Sequence, residues 1–160
     1  TLGNLVNRTI GMINKYNDGI VINANSNEDI DAEFKKSISE YVNLTKTKMD
    51  DLRISDAVDA TFNIFTRANK YIDETSPWAL AKDENSKDRL NTVLYNIIEA
   101  IRQGAVLLQA FLPGTAEEIF KQINSTEKTF DSLKTFGAYS SGTHVNEAKV
   151  LFQRIDTKHE

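Results

Sequence analysis

Cysteine is absent from the 160 residues, so disulfides and thiol chemistry are excluded, and the chain fits a reducing compartment. Histidine is nearly absent: His144 and His159 are the only two, both in a weakly patterned C-terminal part. With no Cys and no clustered His, a metal site is not expected. His144-Val-Asn-Glu147 reverses the Glu-x-x-His order of di-iron bundles and has no partner motif. Neither G-x-x-x-x-G-K-[ST] nor G-x-G-x-x-G occurs. No apolar run approaches the ~18 residues of a membrane span, and no signal peptide is visible. A basic tract is missing too. With a formal net charge of −4, any grip on nucleic acid must be local. The carboxylates sit at helix starts and on polar faces, where capping and solvation account for them. These exclusions leave a binding module with no catalytic constellation of its own.

What is present is helical periodicity. At 40% apolar, the chain is long enough for one well-buried domain. Leu2, Leu5, Val6, Ile10, Ile13 and Tyr16 keep helical spacing. Gly3 and Gly11 flank this stripe as candidate points of close helix approach. The pattern is already running at Leu2 with no start methionine, which reads as a piece of a longer protein. Asn17-Asp-Gly19 stops the helix. Residues 20–29 read as a loop, and a second helix starts near Asn27 or Asp29 with Phe34, Ile38, Val42 and Met49 inward. A third runs from Ile54 to about Ile72. From Ser86, Leu90, Leu94, Ile97, Ile101, Gly104, Leu108 and Phe111 recur at fours and threes, a seam for packing other helices. Pro113-Gly114 ends that helix, and Thr115 caps a short one. Thr129–Phe136 is one more candidate helix. Gly137–Thr143 reads as a loop, and Val150, Leu151, Phe152 and Ile155 as an extended apolar tail. No strand alternation of useful length occurs. The expectation is all-α: a bundle of about five helices with an irregular C-terminal tail, one domain over 1–160.

The stretch Asp73–Lys82 organises the pattern. It holds the only Trp and one of two prolines. Ser76 suits an N-cap and Pro77 the first helical position, where a missing N–H costs nothing. That places Trp78 in the first turn of a short helix, at a corner between two long ones. The residues alone leave two readings of Trp78, a plug closing the core or an exposed platform. Asn4 and Arg8, four apart on the polar face of the first helix, read as a solvated face or as a pair serving one ligand.

Four blocks then resemble the anticodon-binding domain of methionyl-tRNA synthetase, a class I aminoacyl-tRNA synthetase. They are Leu2–Gly19, Tyr71–Lys82 with its Ser-Pro-Trp, Leu112–Ile123, and Leu151-Phe-Gln-Arg-Ile-Asp156. Gln153 stands where many relatives have Pro. The resemblance implies recognition of the CAU anticodon of methionine tRNA, for an enzyme that joins methionine to tRNA with ATP in protein biosynthesis. It implies that the catalytic domain of the same chain lies upstream, with the ATP signatures and any zinc-binding knuckle. By motif position, Trp78 stacks under the first anticodon base, Asn4 and Arg8 bond to anticodon bases, and Pro77 fixes the turn. Asn14, Lys15 and Lys82 are further candidates for tRNA-backbone contacts. The expected partners are tRNA and that catalytic domain, with no DNA and no membrane. The acidic balance implies that most backbone contacts come from elsewhere in the protein. No role follows for His144 or His159.

This reading requires the first helix and the end of the third to meet. Eleven extended residues, 19–29, reach ~36 Å, more than the ~24 Å rise of a sixteen-residue helix, so the chain can run back far enough. Two alternatives stand beside it. One is the equivalent bundle of another class I synthetase, against which the Pro-Trp pair argues. The other is a non-catalytic helical interaction module, which requires a buried Trp78 and an exposed apolar patch elsewhere.

Overall fold

The computed structural model describes residues 2–146. The expected apolar tail, the block 151–156 and His159 lie outside the described residues. Helices α1 (Leu2–Asn17), α2 (Asp29–Asp50), α3 (Ile54–Thr75), α4 (Pro77–Leu80), α5 (Lys87–Leu108) and α6 (Pro113–Ile123) are joined by 3-10 turns at Glu84–Ser86 and Phe130–Lys134 and by two short strands. Five of these helices have eleven residues or more, and α4 is a single turn. The all-α bundle expected from periodicity is therefore the fold.

Helix α5 is the axis. Every residue from Leu90 to Leu108 is buried, so the seam of fours and threes describes only part of what it packs. Helices α1, α2, α3, α4 and α6 all contact it. Helix α3 runs antiparallel to it, because Tyr71 pairs with Asn96 and Phe65 meets Gly104. Gly104 is needed for that approach. A Cβ there would stand 2.5 Å from the Phe65 ring, and close packing offsets the ~1 kcal/mol a mid-helix Gly costs against Ala.

The side of α5 that no long helix covers is closed by residues 127–139. Glu99 and Arg102 are both fully buried. The Glu99 carboxylate accepts from Arg102 Nε (2.6 Å) and Nη2 (2.9 Å) and from Gln103 Nε2 (2.9 Å). It also accepts from three successive backbone amides, Gly137 (2.8 Å), Ala138 (3.2 Å) and Tyr139 (3.1 Å). Arg102 turns its remaining donors to Ser132 Oγ at 2.7 Å and to the carbonyls of Glu127 and Ser132. Gln109 takes the Lys128 carbonyl at 2.8 Å. These ties to Glu127, Lys128 and Ser132 hold the segment against α5. The segment forms only the five-residue 3-10 turn, with Thr129 Oγ1 accepting from the Ser132 amide.

Three further local expectations are corrected. Residues 20–21 are not merely loop: Ile20 pairs with His144 and Val21 with Thr143 in an antiparallel two-residue ladder, too short to show alternation. Helix α5 stops at Leu108, before the Pro-Gly, and α6 begins at Pro113 itself, with Leu112 rather than Thr115 at the N-cap. Gly11 marks no approach of another helix among the described residues, since none of their side chains or other elements lies within 4 Å of its Cβ position.

At the pole where α3 begins and α5 ends, Ile54, Val58, Phe62, Ala110, Phe111 and Leu112 line an apolar groove of about 620 Å³. Leu52 stands beside it in sequence, 83% exposed. Trp78 is at the other end of α3.

Glu99→Gln leaves the Arg102 guanidinium buried without its counter-charge and turns an amide N–H₂ toward other donors. Breaking a buried pair costs about 3–5 kcal/mol. The expected outcome is a urea midpoint lowered by that amount times the inverse of an unchanged m-value, with Tyr139 released from its contacts.

Candidate nucleic-acid interface

Asn4, Arg8, Gly11 and Lys15 follow one another at offsets of four, three and four, so they share one face of α1. All four are exposed. The opposite face, Leu2, Leu5, Val6, Ile10 and Ile13, is in the core. The polar stripe is therefore fixed in direction by the burial of the apolar one.

The end of α3 is fixed by a second buried polar cluster. Asp31, in the first turn of α2, accepts from both terminal nitrogens of Arg89, with Nη2 at 3.0 Å from Oδ1. It also accepts from the Tyr71 hydroxyl at 2.6 Å and the Glu28 amide at 3.1 Å. Asn96 donates to the same hydroxyl at 3.1 Å. The Tyr71 ring stacks on Phe34 at 4.1 Å. Three helices meet at one carboxylate, four residues before the end of α3. Burial by itself would raise the Asp31 carboxyl. The bonds from Arg89, Tyr71 and the Glu28 amide outweigh it and hold the carboxyl below its ordinary value. Burial and the bond to Asp31 push the Tyr71 hydroxyl well above its usual range.

Beyond that anchor the chain turns at Ser76, which ends α3 and begins α4 in one left-handed residue (φ 48°, ψ 67°). The expected side-chain cap is not made. Ser76 Oγ donates back to the Asp73 carbonyl at 3.3 Å, and its amide to Ile72 at 2.9 Å. Pro77 occupies the first position of α4 and is buried, which leaves Trp78 pointing outward, 39% exposed. Trp78 is thus not a plug, and the reading that requires a buried Trp78 is not met. The Arg8 guanidinium lies over the Trp78 ring, 5.4 Å from its centroid, and Arg8 Nη2 reaches Asp73 Oδ1 at 3.4 Å. These side chains are 42% and 70% exposed, so the ion pair contributes well under 1 kcal/mol and can open readily. The cation–π contact is of similar size.

The structure therefore brings Arg8, Pro77 and Trp78 together and puts Asn4 on the same face of α1. Asn14 and Lys82 are exposed. Lys15 carries its ammonium over the Tyr16 ring at 5.6 Å. Sequence reasoning missed Asp73 and the Asp31–Arg89–Tyr71 cluster, whose members lie 65 and 58 or 40 residues apart in sequence and leave no local signal. His144 is not at this face. Its ring packs against Gly19 (φ 81°), where a Cβ would come within 2.7 Å of it. Among the described residues no group of three His, Cys, Asp or Glu could hold a metal ion.

Comparison with known proteins converges on one family. Residues 21–160 match the family described as the anticodon binding domain of methionyl tRNA ligase. The chain is 43% identical over 161 aligned residues to a methionine–tRNA ligase of Caldanaerobacter subterraneus subsp. tengcongensis, covering 99% of this chain and 25% of the relative. It is 46% identical over 158 to that of Clostridium acetobutylicum, covering 97% and 24%. The chain thus spans about a quarter of the length of these relatives. Among solved structures it superposes on the free-state methionyl-tRNA synthetase of Mycobacterium tuberculosis with a TM-score of 0.83 at 27% identity, over 92% of this chain and 30% of that one. The same values hold for that enzyme bound by methionyl-adenylate.

The anchor yields a pH test. Because the folded Asp31 carboxyl sits below its unfolded value of about 3.9, its stabilisation is fully present above that pH and is lost as pH falls through the folded value. Asp31→Asn is expected to cost about 3 kcal/mol near neutrality. The gap in urea midpoint between wild type and variant narrows as pH drops below about 4.

Proposed function

The chain belongs to the anticodon-binding domain family of methionyl-tRNA ligases, and we propose that it reads the CAU anticodon of methionine tRNA at the α1–α4 corner. The observation that supports this best is the Arg8–Trp78 pair, an exposed aromatic platform with a guanidinium fork beside it. RNA is read sequence-specifically in single-stranded loops, where splayed bases stack on aromatic rings and bond to side chains along their edges. Trp78 supplies the ring. Arg8 supplies donors, and its weak tie to Asp73 lets it exchange that carboxylate for a base edge. Asn4, one turn back on α1, offers both a donor and an acceptor. Pro77 holds the turn that points Trp78 outward. Asn14, Lys15 and Lys82 are candidates for contacts to the backbone of the loop.

The remaining three quarters of the protein would supply catalysis: activation of methionine with ATP and transfer to tRNA, in a catalytic domain upstream. The apolar groove from Ile54 to Leu112 lies at the pole opposite Trp78, and we assign it to contact with that larger part. The interaction-module reading is set aside, since Trp78 is exposed. The role we assign is cytoplasmic, in translation. No helix among the described residues is long and apolar enough to cross a membrane.

The test is a titration of labelled anticodon stem-loops at low salt. One stacked base is worth about 1–3 kcal/mol, so Trp78→Ala should weaken CAU binding about 5- to 150-fold at a urea concentration where both proteins are fully folded. Wild type should prefer CAU to a loop altered only at the first anticodon base, and the variant should lose that preference. Equal binding of both loops by wild type would refute the assignment of Trp78.

A further inference from the structure

The two most exposed large apolar side chains among the described residues stand two positions apart, Leu52 at 83% and Ile54 at 51%. Leu52 is also held in a conformation that disfavours it. It follows Asp51, the C-cap of α2, with φ 61°. Its amide donates to the Met49 carbonyl at 3.0 Å, and the Arg53 amide to that of Lys48 at 2.8 Å. These are the two bonds of a Schellman turn, whose left-handed position usually holds glycine. Leucine there adds a steric cost and, left in water, returns no burial. The fold of the described residues gives no reason for it, and an outlier of that kind points to a role outside them.

Ile54 lines the apolar groove at this pole, with Val58 and Phe62 on successive turns of α3 and residues 110–112 across from them. Leu52 is at most ~7 Å of chain from Ile54. Three exposed carboxylates stand beside them: Asp50 and Asp51 at the end of α2, and Asp59 next to Val58. Arg53 is engaged by Asp56 and Lys48 is partly buried, so the open charge at this turn is negative. Single exposed apolar side chains carry no meaning, but a contiguous set along a groove marks a contact. The six lining residues and Leu52 are few against the roughly 20–30 a side of an interface between separate chains. A patch this small stays covered only by something at high effective concentration, as a segment of the same polypeptide is. The chain spans about a quarter of its relatives, which leaves ample sequence for such a segment.

We propose that a basic amphipathic helix from the larger part of the same protein lies in this groove and closes over Leu52 as its anchor. The proposal rests on the assignment of the groove to that larger part given above, and adds the chemistry of the segment that fills it. None of the lining residues is in a strand, so an extended segment has no sheet edge to pair with. A helix laid in a groove needs only apolar residues at i, i+3 or i+4, and i+7. Those residues enter between α3 and the 110–112 turn. Lys or Arg on the flank of the same helix reaches Asp50, Asp51 and Asp59. Leu52 then gains the burial that the described residues do not give it. A domain fastened at this pole keeps the corner at the other end of α3 open.

The experiment is hydroxyl-radical footprinting of the full-length protein, which oxidises apolar side chains that water reaches. Leu44 on α2 is the reference for Leu52, because two leucines share one intrinsic reactivity. A bare Leu52 labels about twice as fast as Leu44, in the ratio of 83% to 42% exposure. The expected result is a Leu52 that labels more slowly than Leu44, with no change on dilution. Leu52→Gly suits the left-handed turn, so buried Tyr71 should stay protected while labelling of Ile54 and Phe111 rises several-fold. The triple variant Asp50→Asn, Asp51→Asn, Asp59→Asn should raise it likewise. Labelling of Leu52 at its bare rate refutes the docking. Protection that fades on dilution refutes a helix of the same chain, and protection that survives the triple variant refutes a basic one. The anticodon reading is tested apart from this. Leu52→Gly should keep the preference for CAU over UAU stem-loops, and a wild type without that preference refutes the Trp78 reading while the footprint still decides the groove.

Discussion

Six donors converge on the Glu99 carboxylate in the middle of α5, and much else depends on that convergence. A charge with no exposed surface is costly unless it is paired and fully hydrogen-bonded. Arg102 supplies the counter-charge, and the amides of residues 137–139 complete the shell. Satisfying Glu99 therefore folds the 127–139 segment onto α5. That segment brings Tyr139 inward, where its hydroxyl bonds the Ile123 carbonyl at the end of α6 and its carbonyl accepts from Tyr95 at 2.6 Å. Burial and the nearby Glu99 charge push the Tyr95 hydroxyl up to about 12, so it remains a donor throughout the physiological range. From Tyr139 the chain continues into the second strand. The ladder to Ile20 and Val21, with the Val145 amide on the Gly19 carbonyl at 2.8 Å, ties down the end of α1. Helix α1 carries Arg8, so a buried carboxylate in α5 helps to set one half of the exposed corner.

The other half is set by Asp31. Its carboxylate gathers α2, α3 and α5 five residues before the chain turns at Ser76. A left-handed non-glycine residue carries a cost of about 1–3 kcal/mol and persists only where its surroundings over-determine it. Here the helix before it is anchored and Pro77 after it is buried. The two polar clusters work at opposite ends of one arrangement: Asp31 holds α4 to the bundle, and Glu99 holds α1. Between them only weak, exposed contacts join Arg8 to Trp78 and Asp73. The scaffold is rigid, and the side chains that would face RNA remain free to rearrange.

Much of this was legible because periodicity reports burial directly. The apolar stripe of α1 and the existence and order of α2, α3 and α5 follow from spacing, while the end of α5 at Leu108 does not. Pro77 sits at a first helical position, as a residue without an N–H should; Pro113 does so as well, although the sequence pattern places it at the end of α5. The exposure of Trp78 was not legible from the residues, since a plug and a platform share one local sequence, and only the match to a known stretch favoured the platform. The two polar clusters were illegible for a different reason. Glu99 and Arg102, spaced by three, look like any pair on a solvated helix face, and their partners are backbone amides about forty residues away. The same facts explain the error over residues 129–136. Their sequence is compatible with a helix, but bonds from Arg102 and Gln109 to residues 127–132 and from the amides of 137–139 to Glu99 pin both ends of the segment to α5.

The shell around Glu99 also constrains the order in which the domain can be completed during synthesis. Chains emerge N-terminus first and fold largely as they are made. Helix α5 is finished at Leu108, yet three of the groups that neutralise the cost of burying Glu99 are the amides of Gly137, Ala138 and Tyr139. Until those residues have left the ribosome, the middle of α5 must stay wet or carry an undersatisfied charge. Helices α1 to α5 can associate before then, but they cannot close. The core of this domain is sealed by nearly the last segment described, so a nascent chain in which α5 has emerged and residues 137–139 have not is an open bundle rather than a smaller finished one.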